Sequence, residues 1–315
     1  MAKSPLNKKR CLGKIKRRIA RMPPLSTTVT KVMEVCNNPK TSPQDLNRII
    51  SLDPVLTGKV LRMINSAYYS LPNKINSLTR AIVMLGLRTV VNLASSAAIM
   101  ESLETDESFQ AFSMEDFWTH SICVGVMAKL LAIRNGIPGA LQEEYFVAGL
   151  LHDLGKIPIN SCFPEEYVEA TELSGPDQGS LLQAETGIFG LDHCEVGELI
   201  AENWYLGPVL NESIRHHHDP DAAMEENRSI IASVALGNIY ANMARIGSSG
   251  DSFTDRDLGD HLLEQMDMRW DELPGFDERI LKEIEKAKVF LHIQDEEPPE
   301  EEDDPENNLE SGHIA

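Results

Sequence analysis

Apolar side chains recur at three- and four-residue spacing along most of this chain. From Leu25 to about Met100 the sets are Val29, Val32, Met33 and Val35, then Leu46, Ile49 and Ile50, then Val55, Leu56, Val60, Leu61 and Ile64. That is the period of helices with one buried face, and no run alternates as a strand does. Helix-start chemistry stands where each set begins. Ser26 or Thr27 can cap the first helix, and Thr41 or Ser42 the second, with Pro43 in its first turn. Asp53-Pro54 opens the third. A polar loop at 71–75 follows, and two more helices are predicted over 77–85 and 87–100.

The pattern then repeats on a larger scale. Residues 101–115 are acidic and polar, a joint, and 112–135 reads as one long helix carrying Asp116, Trp118 and His120, broken by Gly136-Ile-Pro-Gly139. Next comes Phe146-Val-Ala-Gly-Leu-Leu-His-Asp-Leu-Gly-Lys156, an apolar helical turn that sets His152 beside Asp153 and stops at Gly155. A loop and a weakly patterned region through Gly175-Pro176 and Gly179 are expected after Lys156. Residues 192–204 read as a helix ended by Gly207-Pro208. Residues 209–215 lead into His216-His217-His218-Asp219-Pro220, and an apolar helix runs from Ile230 to about Met243. A turn-rich joint at 247–251 precedes closing helices over 253–293, the last spanning 277–291. Residues 294–315 are Pro- and Glu-rich with almost nothing to bury, which predicts disorder. There is no internal repeat. The predicted units are a basic arm or helix (1–21), an N-terminal helical lobe (22–105), a second helical lobe with closing helices (106–293) and an acidic tail (294–315).

Composition narrows the class. With 315 residues, 42% hydrophobic and 25% charged, the chain can hold two compact units of ordinary globular type. No apolar run approaches the roughly 20 residues of a membrane span, and the basic start leads into no apolar segment of a secretory signal. Five cysteines, an odd number without a CxxC pair, argue for a reducing cytoplasm and against a disulfide framework or a thiolate zinc site.

The net charge of −20 is unevenly placed. Residues 1–21 carry nine Lys or Arg and no acid, residues 295–315 carry ten Asp or Glu and no Lys or Arg, and 22–294 retain −19. Such a body repels nucleic acid, and nothing supplies a basic recognition helix. The basic start, with Leu12, Ile15 and Ile19 on one side, reads either as an arm for RNA or anionic lipid or as a first helix docked on the acidic body or frayed.

The chemistry concentrates in His120, His152-Asp153, His193 and His217-His218, each in or beside an apolar helical segment. An imidazole next to a carboxylate in a segment that favours burial is costly unless a proton, a metal or a hydrogen-bond network compensates. Mixed imidazole and carboxylate donors suit an octahedral divalent ion of Mn or Fe type, and a two-ion version could activate water against a phosphoester. Asp116, four residues before His120, shares its helical face, or is an exposed first-turn residue. Trp118 and Trp204 read as core packing, and Cys194 as a small core residue.

Leu150-Leu-His-Asp-Leu-Gly-Lys156, with Phe117-Trp-Thr-His-Ser121 before it, resembles the HD superfamily of metal-dependent phosphohydrolases. Further blocks resemble bacterial HDOD-domain proteins over about residues 22–245. They are Pro24-Leu25, Ser51-Leu-Asp-Pro-Val-Leu-Thr-Gly-Lys-Val-Leu61, Ile75-Asn-Ser-Leu-Thr-Arg-Ala-Ile-Val-Met-Leu-Gly86, Asp192-His-Cys-Glu-Val-Gly197, Trp204 and His217-His218-Asp219-Pro220. The resemblance implies an all-α, two-lobed helical HDOD fold, an N-terminal lobe plus an HD-type helical bundle. It also implies a cytoplasmic role in bacterial signal transduction, exercised through contacts with protein partners. The alternative is a metal-dependent phosphohydrolase or phosphodiesterase acting on a nucleotide or similar phosphoester.

Residue by residue, His120, His152 and Asp153 match the first three ligands of the superfamily's mononuclear site. His193, His217 and His218 resemble the extra ligands of two-metal relatives, in some of which a carboxylate stands at the place of Asp116. One or two divalent ions such as Fe or Mn are implied. The final Asp of the superfamily is best matched here by Asn238, whose neutral amide lowers both metal affinity and water activation. No Gly-Tyr-Pro follows the histidine block, which argues against cyclic-dinucleotide hydrolysis. A catalytic role would fall to Asp153 and Lys156, the lysine either meeting a phosphate or standing simply as a helix-end residue.

Overall fold

Side-chain caps mark where the helices begin. In the computed structural model, which describes residues 5–22, 27–36, 48–103, 110–175 and 177–287 with Leu25 and Ser42, Asn7 accepts from the Arg10 amide to start α1 (Lys8–Ile19). After α2 (Thr27–Cys36), Asp53 accepts from the Leu56 amide at 3.0 Å and Pro54 occupies the first turn of α3 (Pro54–Ile64). Ser77 caps α4 (Leu78–Leu85), and α5 (Leu87–Leu103) follows at once. The sequence predicted the starts at Asp53-Pro54 and Ser77, and in each the cap satisfies an amide the helix cannot; the Asn7 cap was not foreseen. Pro23-Pro24, most of the helix predicted after Ser42, positions 104–109 of the first joint and the acidic tail lie outside the described residues.

In the first lobe, α2, α3 and α4 pack on α5. The second is built on α6 (Met114–Arg134), capped by Ser113, and α7 (Gly139–Leu151), with α13 (Arg228–Ala244) across both. Gly125 and Gly149 let α6 and α7 touch backbone to backbone, since a Cβ on Gly149 would lie 2.6 Å from the Gly125 Cα. α6 is long and apolar enough to cross a membrane by composition, which the sequence reading did not anticipate. Yet 78% of its apolar window is buried, as befits the central helix of a bundle. Between the lobes, Tyr68 accepts from Lys129 Nζ at 3.1 Å and Tyr69 donates to Glu143 at 3.1 Å, with Lys129 and Glu143 themselves ion-paired.

The region expected as loop after Lys156 is helical: α8 (Lys156–Cys162), α9 (Pro164–Glu172) and α10 (Leu181–Phe189). Pro158 and Pro164 sit in first turns, where a missing amide costs nothing. α11 (His193–Asn203) carries a full capping box of Asp192 and Glu195. α12 (Pro208–His216), α14 (Arg256–Gln265) and α15 (Asp277–Ala287) complete the set. Among the described residues no strand forms, only an isolated bridge between Gly175 and Gly179.

α8 and α11 meet through glycine. A Cβ on Gly155 would stand 1.8 Å from the His193 carbonyl oxygen and 2.6 Å from the Gly197 nitrogen, both backbone atoms that cannot turn aside. Gly155→Ala is therefore expected to destabilise the fold by about 3 kcal/mol or more. Gly58→Ala in α3, where nothing lies within 4 Å, should leave stability unchanged or raise it by up to about 1 kcal/mol. Thermal unfolding of the two variants beside wild type checks both.

Candidate metal centre

The turn between α7 and α8 delivers His152 and Asp153 into the middle of the second lobe, both with no solvent exposure. The neighbouring helices each add a group. His120 comes from α6, Lys156 opens α8, His193 is the first residue of α11, and His217 caps α12 with His218 beside it. Asp153 is the hub. Its Oδ2 lies 2.7 Å from Lys156 Nζ, 3.2 Å from His152 Nε2 and 3.8 Å from His120 Nε2. Its Oδ1 lies 3.4 Å from His193 Nε2 and 3.5 Å from His217 Nε2.

The outer nitrogens of three of the rings are already committed. His152 Nδ1 lies 2.7 Å from the Gly149 carbonyl, His217 Nδ1 3.0 Å from the Ile214 carbonyl, and His193 Nδ1 2.6 Å from Glu185 Oε2. Those oxygens only accept, so each Nδ1 carries the proton and each neutral ring turns a lone pair at Nε2 inward. His193 Nε2 stands 3.3 Å from His217 Nε2 and 3.2 Å from His218 Nε2. Nitrogen lone pairs facing one another and a carboxylate repel unless a cation lies among them. No hydrogen bond of good geometry reaches either Asp153 oxygen or His152 Nε2. The donors fit a divalent metal, as two adjoining groups: His120, His152 and Asp153, and His193, Cys194, His217 and His218.

Without a metal, protons must carry the charge. Burial opposes charge on His193, but the Glu185 carboxylate outweighs it and lifts the ring well above its ordinary range. His217 rises to about 9, Cys194 and Asp153 overcoming burial. The 3.3 Å gap admits one proton between these two rings, not two. Burial drives His120 down to about 3 against the pull of Asp153, and lowers His152. Burial would raise the Asp153 carboxyl, but His152 and Lys156 outweigh it and hold it well below the usual carboxylate range. Cys194 falls to about 7, because His217 and His193 overcome the burial that would raise it.

Six of the sequence-predicted donors thus meet at one place, and two behave differently. Asp116 is exposed in the first turn of α6, where its carboxylate accepts from the Ser113 hydroxyl at 2.8 Å, so it does not join the cluster. Asn238 does reach it, with Oδ1 3.1 Å from His120 Nε2. In that orientation His120 donates, which occupies the nitrogen a metal would need; turning the amide over frees it. Lys156 begins a helix rather than ending one, and is fully buried between Asp153 and the Ser249 hydroxyl at 2.9 Å. His216, beside the cluster, is half-buried and outside it.

Glu185 escaped the sequence reading. It is fully buried on α10, accepts from the Tyr167 hydroxyl at 2.6 Å, and holds both the amide and Nδ1 of His193. A carboxylate behind a histidine fixes the tautomer and raises the ring's basicity toward a metal. The available signal was a lone acid within the apolar run of α10, and the expectation of a loop there concealed it.

An all-helical bundle in which an adjacent His-Asp pair, broken out of a helix, is ringed by histidines from three other helices defines an HD-type protein. The chain belongs to the HDOD domain family, whose model matches residues 22–220. An HDOD domain protein of unknown function from Geobacter sulfurreducens is similar in structure, with 25% identity, a TM-score of 0.69, and coverage of 90% of this chain and 99% of that one. A candidate phosphohydrolase from Shewanella amazonensis SB2B shares the fold at 24% identity and a TM-score of 0.64, over 88% of this chain and 98% of the other. An uncharacterized protein of Treponema pallidum (strain Nichols) is 28% identical over 223 residues, 70% of this chain. The matched stretch spans only 42% of that longer relative.

Glu185→Gln keeps an acceptor for His193 Nδ1 but removes the charge. Affinity for added Mn²⁺, measured calorimetrically on stripped protein, is expected to fall about 10- to 100-fold. Unchanged affinity would remove His193 from the ligand set.

Proposed function

We propose that this chain is a regulatory protein of a bacterial signalling pathway that acts through protein contacts. Its HD centre holds a divalent metal more for structure or sensing than for turnover. The observation that carries the reading is the narrowness of an opening onto the centre, a cavity of about 190 Å³. It touches His217, His218 and Asn238, and is bordered by Asp251 and Asp255. Ligand pockets usually run to about 300–1,000 Å³, and acidic walls repel a phosphoester. Lys156, the residue placed to meet a phosphate, is spent on Asp153 and Ser249. Asn238 adds no charge where a carboxylate would strengthen the metal.

A second reading, a metal-dependent phosphohydrolase or phosphodiesterase acting on a nucleotide-like substrate, is favoured by one thing, the convergence of His152, His193, His217 and His218 with Asp153. A divalent ion there would supply Lewis acidity toward a phosphoester oxygen. The chain's own part would be to orient the rings through Gly149, Ile214 and Glu185, and to exclude water by burial.

Metal content and turnover separate the two. Protein purified without chelator is expected to carry Fe or Mn, His152→Ala to lose it, and neither to cleave nucleotide phosphodiesters with either metal added. Turnover by wild type that disappears in His152→Ala would overturn the regulatory reading; a metal-free wild type would overturn the metal centre. Asn238→Asp, which restores a carboxylate beside His120, is expected to tighten Mn²⁺ binding at least several-fold in the same calorimetric titration.

A further inference from the structure

Away from the HD centre, α1 lies along the corner where α8 turns into α9. Cys11, Ile15 and Ile19 bury its apolar face, and Lys8 reaches Glu195 of α11 at 3.4 Å. Its other side borders a cavity of about 860 Å³ whose floor is Ser161, Cys162 and Phe163. Arg10, Lys14, Arg17 and Arg21 line that cavity at helical spacings of four, three and four, and all four are exposed. Like charges so spaced repel one another, and the fold keeps them together on one wall.

Two of the cations in this wall are positioned by the protein. Lys14 donates to the Cys162 carbonyl and lies 4.6 Å from the Phe163 ring centre; Arg18 donates to Ser161 Oγ at 3.2 Å. Arg10, Arg17 and Arg21 enter no ion pair among the described residues. Glu165 and Glu166 also line the cavity. Five cations against two carboxylates leave the cleft strongly positive on a chain whose net charge is −20.

We propose that this cleft binds a nucleoside polyphosphate. Guanidinium forks match phosphate oxygens two at a time. From Arg10 to Arg17 within α1 the helical rise is already about 10 Å, which calls for several linked phosphates rather than one. The two glutamates offer acceptors to groups that carry protons, as sugar hydroxyls and a base amine do. A volume within the usual range of small-ligand pockets, bordered by acids and set on an acidic body, disfavours an extended polyanion such as RNA or a membrane surface. The cleft and the HD centre share α8, with Ser161 and Cys162 at one end and Lys156 at the other, but the proposal does not depend on a metal being bound.

The test is calorimetric titration of the full chain with ATP and with inorganic tripolyphosphate, in chelator. One-to-one binding of ATP is expected, weakened at least tenfold in Arg10→Ser/Arg17→Ser/Arg21→Ser and unchanged in His152→Ala. All three arginines are exposed, so the triple variant should unfold at the wild-type temperature, measured alongside. The proposal is overturned by the absence of binding to either probe, by binding indifferent to the arginines, or by binding lost in His152→Ala. It is equally overturned if a single-stranded RNA or anionic phospholipid vesicles bind through the arginines more tightly than ATP does.

Discussion

Asp153 is an ionised carboxylate without solvent, and the geometry around it follows from that cost. Taking a lone charge out of water is unfavourable by several kcal/mol even after relaxation. The chain answers with Lys156 three residues later, at 2.7 Å, and anchors that ammonium on Ser249. The lysine can reach only because α8 begins immediately after the turn, and the turn can lie so deep only because Gly155 lets it rest on the backbone of α11. Asp153 therefore ties the α7–α8 corner, the start of α11 and the loop after α13 into one arrangement.

Around this hub the histidines divide by environment rather than by type. Those backed by carbonyl or carboxylate acceptors present lone pairs, as metal ligands do; His120, facing an amide, is the odd member. Glu185 pulls charge toward His193, while burial strips it from His120 and His152. Glu185 stands behind His193 Nδ1 as a carboxylate stands behind a metal-bound ring, whereas the Asn238 amide occupies His120 Nε2. Asn238 thus touches one half of the cluster and leaves the other intact.

Much of this was legible beforehand. The helix starts at Asp53-Pro54, Ser77 and Asp192 were read correctly because a cap is a local event between near neighbours. The His-Asp pair declared itself by being polar in an apolar run. What the sequence concealed depended on distance or direction. Spacing put Asp116 on the face of His120, but a serine three residues earlier holds its side chain at the surface. Lys156 looked like a helix end because Gly155 precedes it, and only the fold makes that glycine a close approach. Glu185 lies eight positions before the ring it holds, in a stretch whose prolines and glycines obscured its helices.

The family match ends at residue 220, yet two partners of the buried charges lie past it. Asn238 faces His120 from α13, and Ser249 steadies Lys156 from the loop that follows. At the other end, α1 precedes the match and covers α8 and α11. The unit recognisable by ancestry is thus smaller than the unit that is physically complete. A fragment trimmed to residues 22–220 would keep every motif of the HD pair while exposing the floor beneath it and leaving its lysine unanchored. For this chain, the boundary drawn by descent cuts through the middle of the chemistry.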